Sequence, residues 1–556
     1  MLNKNNRLLL LLLSFVYFIN HLVLKNKQLF LSLQLGHINS IIIEVNVLID
    51  IFRSLFLTTV LIISFSVFRF RYIYIAYYKF YRRFHILLFV FVCSILMLII
   101  SSNLLFTIIG WDGLGVSSYL LVIFYGSRKS YNAGILTVLR NRLGDVFIML
   151  CMGYIIHIGS WNINFYKEIL NFKSHFRLIL VLGAFTKSTQ IPFRAWLPAA
   201  MAAPTPVSAL VHSSTLVTAG IYVLIRLFNS LPQELYMILS WFGAVTIILA
   251  RFRALKETDG KKIVALSTLS QLGVMMTGFR FNLPSLVFFH LLSHAFFKAL
   301  LFIRTGFVIH NFNNYQNLRL IGGRRKWMSI NSRIIIATKL RLAGLPFFAG
   351  FYSKEALLET LRSGTRGLVI TYSLIVVGVV LTVLYSLRFL FSRSYFSLRM
   401  RVAGYSRLKS NSLVIRRLIL FSLSIVSGKK LFFVLAPFSI IPILTFSRKL
   451  FITVLLLSGG WWYFFSSRAS SRNLKFYRFM WGLPIFAGGL ILKGRKRIGI
   501  KLVKALGFSY LDHVIGPWTL QISNYNRLMT THRSSSIQKT LVLLLILRFS
   551  GVIFIY

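Results

Sequence analysis

The sequence predicts an all-α polytopic membrane protein, and two properties of the 556-residue chain support this. Hydrophobic residues make up 56% of it and charged residues 13%, whereas a soluble domain has about 25% charged residues. Apolar runs of about 17–25 residues, the length of a spanning helix, recur throughout. This composition excludes a water-soluble, disordered, collagen-like, coiled-coil or disulfide-scaffold protein. The short alternating segments of a membrane β-barrel are absent from the sequence. The backbone N–H and C=O groups in lipid must therefore form their hydrogen bonds within helices.

About fifteen or sixteen runs are expected to span the membrane. The first follows a basic segment, as in a signal peptide, but no small-residue cleavage site follows it, so we expect a retained first helix. The candidate spans lie at about 8–24, 47–68, 86–106, 108–126, 134–158, 176–193, 205–228, 236–252, 262–280, 284–309, 332–350, 368–391, 412–434, 437–457, 476–492 and 538–556.

Two segments are interrupted by proline and glycine. The first runs from Lys187 to Pro206, and the second from Ala343 to Glu355, with a lysine at Lys354. Breaks at membrane depth are tolerated only where the freed backbone faces protein or water. A matching pair of interrupted helices is typical of the ion pathway in transporters built from repeats. The alternative is a packing kink, which the lysine beside each break disfavours.

After residue 493 the pattern changes. Ile498, Leu502 and Leu506 share one helical stripe with basic residues beside it, and a polar stretch and a last apolar run follow. This pattern predicts a lateral amphipathic helix on the bundle surface and then an anchor helix. A disordered basic loop is the alternative.

The charge balance is strongly basic, with 64 Lys and Arg against 11 Asp and Glu. In a soluble protein such a charge suggests nucleic acid, but here the basic residues are scattered among apolar runs, which favours a membrane protein facing anionic lipid. Cys93 and Cys151 are too few for an iron–sulfur cluster or a closed zinc site, which need about four ligands. Nucleotide-binding glycine motifs are absent, so we expect no cofactor bound by this chain.

Most of the eleven acids lie at helix ends or in loops, but Asp112 and Asp145 do not. Asp145 follows Arg142 by three residues, which places the two on one helix face and predicts a local, structural or pKa-tuning pair. Asp112 has no local partner in the sequence. A carboxylate alone at membrane depth is energetically expensive, so Asp112 is a candidate functional residue.

One predicted helix carries a polar stripe. His290, His294 and Lys298 follow one another at intervals of four and extend over about 12 Å of helix. Two histidines at this spacing could bind zinc, but no glutamate or third ligand accompanies them, so no metal site is expected. Histidine titrates near neutrality and a desolvated lysine can do so, which favours a proton relay.

Four lysines lie in four different predicted helices. A single lysine in a helix usually snorkels to the interface. Here each lysine lies beside a helix break, a histidine or a capping acid, and His212 stands between two of them in the sequence, so we interpret the set as a chain. Its lysines are Lys187, Lys261, Lys298 and Lys354.

Several motifs resemble one family. They are Gly110-Trp-Asp-Gly-Leu-Gly115, Asn141-Arg-Leu-Gly-Asp145, Lys187-Ser-Thr-Gln-Ile-Pro192, the run from Trp196 to Gly220, Ala265-Leu-Ser-Thr-Leu-Ser-Gln-Leu-Gly273 and Phe351-Tyr-Ser-Lys-Glu355. The chain resembles the chain 5 family of mitochondrial NADH–ubiquinone oxidoreductase, the antiporter-like membrane subunits of respiratory complex I. The resemblance is specific from about 85 to 390 and weaker beyond.

The resemblance implies roles for the candidate residues. Asp112, where the family often has glutamate, would lie opposite Lys187, and His212 would connect onward. Lys261 and the stripe His290, His294 and Lys298 would carry the proton to the centre. Lys354 with Glu355 would form the exit.

The resemblance also implies an activity and an organisation. The expected function is proton translocation coupled to NADH-to-ubiquinone electron transfer, with NADH, FMN, iron–sulfur clusters and ubiquinone bound elsewhere in the complex. Expected partners are the neighbouring antiporter-like subunits and phospholipids including cardiolipin, in the mitochondrial inner membrane. A cation/proton antiporter subunit without redox coupling and a structural membrane scaffold are the alternatives. The expected divisions are N-terminal helices at 1–83, two inverted five-helix repeats at 84–230 and 231–392, C-terminal helices at 393–493, the lateral helix at 494–537 and the anchor at 538–556.

Six arginines stand in apolar runs where the family resemblance would place a small residue. One arginine at the bilayer centre costs about 2.5–3.5 kcal/mol. The eleven acids of the chain are too few to pair with its 64 lysines and arginines. Many animal mitochondria read AGA and AGG as serine or glycine, so we hypothesise a small residue at these positions in the mature protein. The alternative is that the arginines snorkel, line water-filled cavities or bind cardiolipin. They are Arg140, Arg194, Arg251, Arg253, Arg304 and Arg341.

Overall fold

The structure is a computed structural model. It describes residues 29–38, 41–75, 78, 80–156, 174–227, 232–281, 283–312, 314–318, 329–345, 349–362 and 369–394, together with twelve residues between 421 and 463. The spans predicted at 8–24, 412–434, 437–457, 476–492 and 538–556, and the lateral helix at 494–537, fall wholly or largely outside the described residues.

The described residues form a helical bundle preceded by one β-hairpin. The strands are β1 (Leu29–Ile38) and β2 (Ile41–Ile49). The helices are α1 (Ile51–Tyr74), α2 (Tyr81–Ile100), α3 (Leu104–Ile123), α4 (Arg128–Ile156), α5 (Ser174–Ser188), α6 (Trp196–Ala200), α7 (Thr205–Leu210), α8 (Leu216–Arg226), α9 (Gln233–Lys256), α10 (Gly260–Gly278), α11 (Pro284–Asn311), α12 (Ser329–Ala343), α13 (Ala349–Arg362) and α14 (Val369–Ser394). A π-helical turn, Val211–Thr215, joins α7 to α8.

The hairpin is a departure from the all-α prediction. Its strands are antiparallel, with Leu29 opposite Ile49, and Asn103 at the start of α3 donates to the Glu44 carbonyl at 2.8 Å. The signal is present in the sequence, since polar and apolar residues alternate over 31–35 and 43–47. These alternations are short and rich in aliphatic residues, and the prediction did not assign either of them to a strand; only Val47 falls within the run predicted at 47–68.

Seven of the described helical segments are long and apolar enough to cross a membrane. They confirm a multi-span membrane protein. The other predicted runs on described residues coincide with α4, α5, α10 and α12. The candidate spans are Ile51–Tyr72, Tyr81–Ile100, Leu104–Ile123, Thr205–Arg226, Gln233–Lys256, Pro284–Asn311 and Ile370–Phe391.

Helix α11 lies at the centre of the described bundle. It packs against α1, α7, α10, α12 and α13, and its most apolar stretch is completely buried. A helix that is apolar on all sides is stable only when neighbours or lipid surround it. The surrounding helices therefore hold the polar stripe of α11 away from lipid.

The first predicted break is present between α5 and α6. Helix α5 ends at Ser188 and α6 begins at Trp196. The freed backbone is satisfied by protein groups: the Trp196 indole Nε1 donates to the Thr186 carbonyl at 3.1 Å, and the Gln190 amide Nε2 donates to the Ser188 carbonyl at 3.2 Å. This arrangement meets the requirement that broken helices at membrane depth face protein or water.

The described helices α12 and α13 flank the second predicted break, and residues 346–348 between them lie outside the described residues. Helix α12 ends at Ala343, and Gly344 follows with a φ of +94°, a left-handed conformation that glycine adopts without strain. Gly350 allows α13 to approach α12, because a Cβ there would lie 2.4 Å from the Arg341 carbonyl oxygen. The inverted relation between the two halves, and the boundaries at 84–230 and 231–392, remain predictions.

Candidate functional site

The first part of the site is an acid–arginine cluster on α3 and α4. Arg142 Nη1 lies 3.4 Å from Asp145 Oδ2 and 3.5 Å from Asp112 Oδ2. The predicted contact between Arg142 and Asp145 is therefore present. Asp112, which has no local partner in the sequence, lies near Arg142, which is thirty residues further along the chain on the next helix.

A cavity of about 360 Å³ opens beside this cluster. Its lining includes the polar residues Asp112, Tyr119, Asn141, Arg142 and Asp145. The Arg142 side chain is 55% exposed, whereas that of Asp145 is 6% exposed. The cluster therefore has a buried side and a side open to the surroundings of the described bundle.

Lys187, in the last turn of α5, is completely buried next to this cluster. Its Nζ donates to the Trp111 carbonyl at 2.6 Å and lies 3.8 Å from the centre of the Trp111 ring. The charges of Asp145 and Asp112 both act on this ammonium. Asp112 and Lys187 were expected to pair directly, but no such contact is present among the described residues. Lys187 instead contacts Trp111, the residue before Asp112.

Gly144 explains how Lys187 comes so close to the acids. A Cβ at Gly144 would lie 2.2 Å from the Thr186 Oγ1, so a larger residue would require the Thr186 side chain or the helix to shift. Asp145 and Lys187 are the next residues on the two helices. The close packing of Gly144 against the Thr186 side chain thus accompanies the approach of a carboxylate-bearing helix to the helix that carries the lysine.

His212 and Lys261 lie further along the described bundle. His212 belongs to the π-helical turn and is buried, with its ring edge-to-face against Trp196 at 6.0 Å between centroids. Neither ring nitrogen has a hydrogen-bond partner among the described residues. Single π-helical turns are frequent at functional sites. The Lys261 Nζ, also buried, donates to the Ala203 carbonyl at 3.3 Å, next to the first break.

The predicted stripe on α11 is buried and continuous. The rings of His290 and His294 have centroids 6.3 Å apart, and both side chains and that of Lys298 have zero exposure. Lys298 Nζ donates to the Ser267 hydroxyl on α10 at 2.5 Å. Within the described chain no group of three or more His, Cys, Asp or Glu side chains is arranged to hold a metal ion.

His290 is the centre of a hydrogen-bond network between three helices. Its Nδ1 lies 2.8 Å from the Ser353 hydroxyl on α13, and its Nε2 lies 3.3 Å from the Gln271 Oε1 on α10. The Ser293 hydroxyl lies 3.3 Å from that of Ser353. The stripe is thereby connected to the helix that carries Lys354.

Lys354 lies at the second break. Its Nζ donates to the Leu342 carbonyl, one of the last carbonyl groups of α12. Lys354 and half-buried Glu355 line a cavity of about 20 Å³, which is large enough for roughly one water molecule. The end of α12 thus supplies a backbone acceptor for this lysine, and the small cavity beside it is lined mostly by apolar residues.

Sequence reasoning missed several polar residues of the site. Gln271 and Ser353 belong to motifs that were used only for the resemblance. Lys339 on α12 is also completely buried, with Nζ 3.9 Å from the centre of the Phe389 ring. The other four lysines were selected because each lies beside a helix break, a histidine or a capping acid, and Lys339, four residues before Ala343, also lies near a predicted break.

The six arginines differ in their surroundings. Arg194, Arg251, Arg304 and Arg341 have exposures of 0–1%. Arg140 is only half-buried, over the Phe193 ring, and Arg253 Nε lies 3.7 Å from Glu257 Oε2, so the energetic argument does not apply to these two.

Arg194 and Arg251 present the strongest case for a small residue. In both, Nε and Nη1 are buried without a hydrogen-bond partner among the described residues. Arg251 Nη1 lies only 2.3 Å from where a Cβ on Gly378 would stand. A buried cation without compensation is strongly destabilising, so a small residue would suit these positions.

Peptide mass spectrometry of the purified chain tests the hypothesis, with a protease that does not cleave at arginine. We expect serine or glycine at 194, 251, 304 and 341. Arg226 is the matched control, because its Nη1 lies 2.5 Å from Asp50 Oδ2 and it should remain arginine. Arginine at all four buried positions would contradict the hypothesis and would require a water or lipid partner for each.

A bundle of membrane-spanning helices, broken beside buried lysines and crossed by a His/Lys stripe, defines an antiporter-like membrane protein. Residues 101–384 match the family model described as NADH:quinone oxidoreductase/Mrp antiporter, TM. The chain belongs to this family.

Relatives with assigned names agree with this membership. The chain is 44% identical to the NADH-ubiquinone oxidoreductase chain 5 of Aedes aegypti over 397 residues, covering 70% of this chain and 68% of the relative. It is 41% identical to the protein of the same name from Lumbricus terrestris over 414 residues, covering 74% of this chain and 71% of the relative.

Solved structures share the fold. The Mrp complex from a Dietzia species matches with a TM-score of 0.68 at 20% sequence identity, covering 100% of this chain and 61% of that chain. The membrane-bound sulfane sulfur reductase, an archaeal respiratory membrane complex, matches with a TM-score of 0.66 at 18% identity, covering 82% and 91%.

Proposed function

We propose that this chain is the proton-translocating chain 5 subunit in the membrane arm of respiratory complex I. It would couple electron transfer from NADH to ubiquinone to proton movement across the inner mitochondrial membrane. The names of the relatives at 41–46% identity support the complex and the subunit. The observation that carries the proton-transfer role is the buried stripe of α11.

The stripe supports proton transfer for a physical reason. His290, His294 and Lys298 are completely buried in a helix that neighbours surround. Ionisable groups at membrane depth are expensive and typically mark ion pathways and proton relays. Their hydrogen bonds lead outward to Ser267 on α10 and to Ser353 on α13.

In the proposed mechanism, quinone reduction elsewhere in the complex changes the electrostatic field along the membrane arm. Arg142 contacts both Asp112 and Asp145, so a shift of Arg142 between the two acids would change the field at Lys187. The proton released there would pass by way of His212 and Lys261 to the stripe. It would leave from Lys354 beside Glu355. The coupling must supply the free energy of this transfer, since moving one elementary charge across a membrane potential of 100 mV costs about 2.3 kcal/mol.

The oxidoreductase chemistry is assigned to other subunits. We propose that this chain binds none of NADH, FMN, iron–sulfur clusters or ubiquinone. Its partners would be the neighbouring antiporter-like subunits, with phospholipids including cardiolipin around the basic surface and no nucleic acid. We propose a location in the inner mitochondrial membrane, since the relatives are named NADH-ubiquinone oxidoreductase chain 5 and seven of the described helical segments are long and apolar enough to span a membrane.

The alternative function is cation/proton antiport without redox coupling. The fold shared with the Mrp complex favours it. The relatives at 41–46% identity, which are all named NADH-ubiquinone oxidoreductase chain 5, favour the redox-coupled function.

One experiment separates the two functions. The complex that contains the chain is purified, reconstituted into vesicles and supplied with NADH and ubiquinone. We expect the chain to co-purify with NADH:ubiquinone reductase activity and NADH to drive proton movement that a protonophore abolishes. Cation/proton exchange that needs no NADH would instead establish the antiporter.

A further inference from the structure

Gln271 is a buried amide for which the proposed pathway has no role. It lies on α10 with zero exposure, and its Oε1 is 3.3 Å from His290 Nε2. Its Nε2 is buried and lacks a hydrogen-bond partner among the described residues. The amide is therefore held by a single side-chain contact, and that contact is with a histidine of the stripe.

The Gln271 atom that faces His290 Nε2 decides which nitrogen of the His290 ring carries the proton. A carbonyl oxygen can only accept, so His290 Nε2 must donate to Gln271 Oε1. In a neutral imidazole the other nitrogen is then an acceptor. Nδ1 accordingly accepts from the Ser353 hydroxyl at 2.8 Å.

The direction of this second hydrogen bond determines what His290 can do. With Nδ1 as acceptor, His290 can receive a proton from the side of Ser353, the residue next to Lys354. If the amide rotated, its NH₂ group would donate to Nε2, and the Nδ1–H group would donate towards Ser353. This rotation would break no hydrogen bond of the Gln271 NH₂ group, because its Nε2 has no partner among the described residues.

We infer that Gln271 is a positioning residue, whose side-chain amide selects the tautomer of His290 and thereby the direction of the hydrogen bond between His290 and Ser353. The inference rests on the proposed function. Gln271 acts through His290 and need not bind the proton itself. The network joins α10, α11 and α13, so the amide on one helix would control transfer between the other two.

The test uses the assembled complex in vesicles and measures NADH-driven proton translocation. Gln271→Met keeps the length of the side chain but removes the acceptor, and we expect translocation to slow about tenfold, the effect of losing one buried hydrogen bond. Gln271→Glu keeps an oxygen that accepts from Nε2, and we expect it to restore the rate to within about threefold of wild type.

Two further variants separate positioning from a general packing defect. Thr277→Val is the matched control on α10, since the buried Thr277 hydroxyl donates only to the Val274 carbonyl of its own helix, and it should leave translocation unchanged. Ser353→Ala removes the other partner of His290. Because both changes interrupt the same hydrogen-bond path, their losses should not add in the double variant.

The outcomes distinguish this inference from the proposed function. Three outcomes would overturn the inference. The Gln271→Met complex could translocate protons as fast as Thr277→Val, or the Gln271→Glu complex could be as slow as Gln271→Met. The third such outcome is a fully additive loss when Gln271→Met is combined with Ser353→Ala. If Gln271→Met does not assemble, Gln271→Asn replaces it, because the shorter amide cannot reach Nε2. If the wild-type complex translocates no protons, the proposed function itself fails.

Discussion

Lys354→Met is expected to reduce proton translocation by at least about a hundredfold, because a positioned proton-transfer group typically contributes 10²–10⁴ in rate. The side chain is buried at the second break, where its Nζ donates to the Leu342 carbonyl and lines a small cavity with Glu355. Methionine fills the same volume without an exchangeable proton. NADH-driven acidification of reconstituted vesicles measures the effect, and native electrophoresis measures assembly.

Two more variants make this result specific. Lys354→Arg keeps the positive charge but does not release a proton, so it should fail as well. Lys262→Met is the matched control, because Lys262 is 39% exposed at the start of α10 and pairs with Asp259 at 2.9 Å. An assembled Lys354→Met complex with normal proton translocation would remove Lys354 from the pathway.

Asp112→Asn is expected to abolish pumping-linked turnover while the complex remains assembled. The amide fits the space of the carboxylate, but Arg142 would then have only the Asp145 carboxylate as a charged partner at its Nη1. The field at Lys187 would no longer respond to a movement of Arg142. The measurement is NADH:ubiquinone turnover together with proton ejection.

Restoration by Asp112→Glu would show that charge is required and that the length of the side chain is secondary. Glu234→Gln is the matched control, since Glu234 is an exposed carboxylate in the first turn of α9. Full turnover with normal proton ejection in Asp112→Asn would exclude Asp112 from the mechanism.

Helices and buried charges were largely predictable from the sequence. Spanning helices follow from the length of apolar runs, a property of contiguous residues. The stripe of α11 follows from the four-residue spacing of His290, His294 and Lys298, because i and i+4 lie on one helix face. The breaks follow from proline and glycine beside Lys187 and Lys354.

Contacts between helices were not predictable in the same way. Asp112 and Arg142 are thirty residues apart, and Gln271, His290 and Ser353 come from three helices. Such contacts depend on how close the helices approach, and at α4 and α5 that distance is set by Gly144 against Thr186. The hairpin was missed because its alternating stretches are only about five residues long. Alternation this short is close to the minimum length at which a strand can be told from part of an apolar run.

Because α11 is enclosed by other helices, the bilayer would affect the buried stripe and the acid–arginine cluster differently. Its central stretch touches only other protein segments, so changes in acyl-chain thickness or headgroup charge cannot act directly on the stripe. The cavity beside Asp112 and Arg142, by contrast, opens at the side of the described bundle. Lipid composition or an adjacent subunit would therefore tune the chain at its acid–arginine cluster, and the central relay would keep the same dielectric surroundings in any membrane.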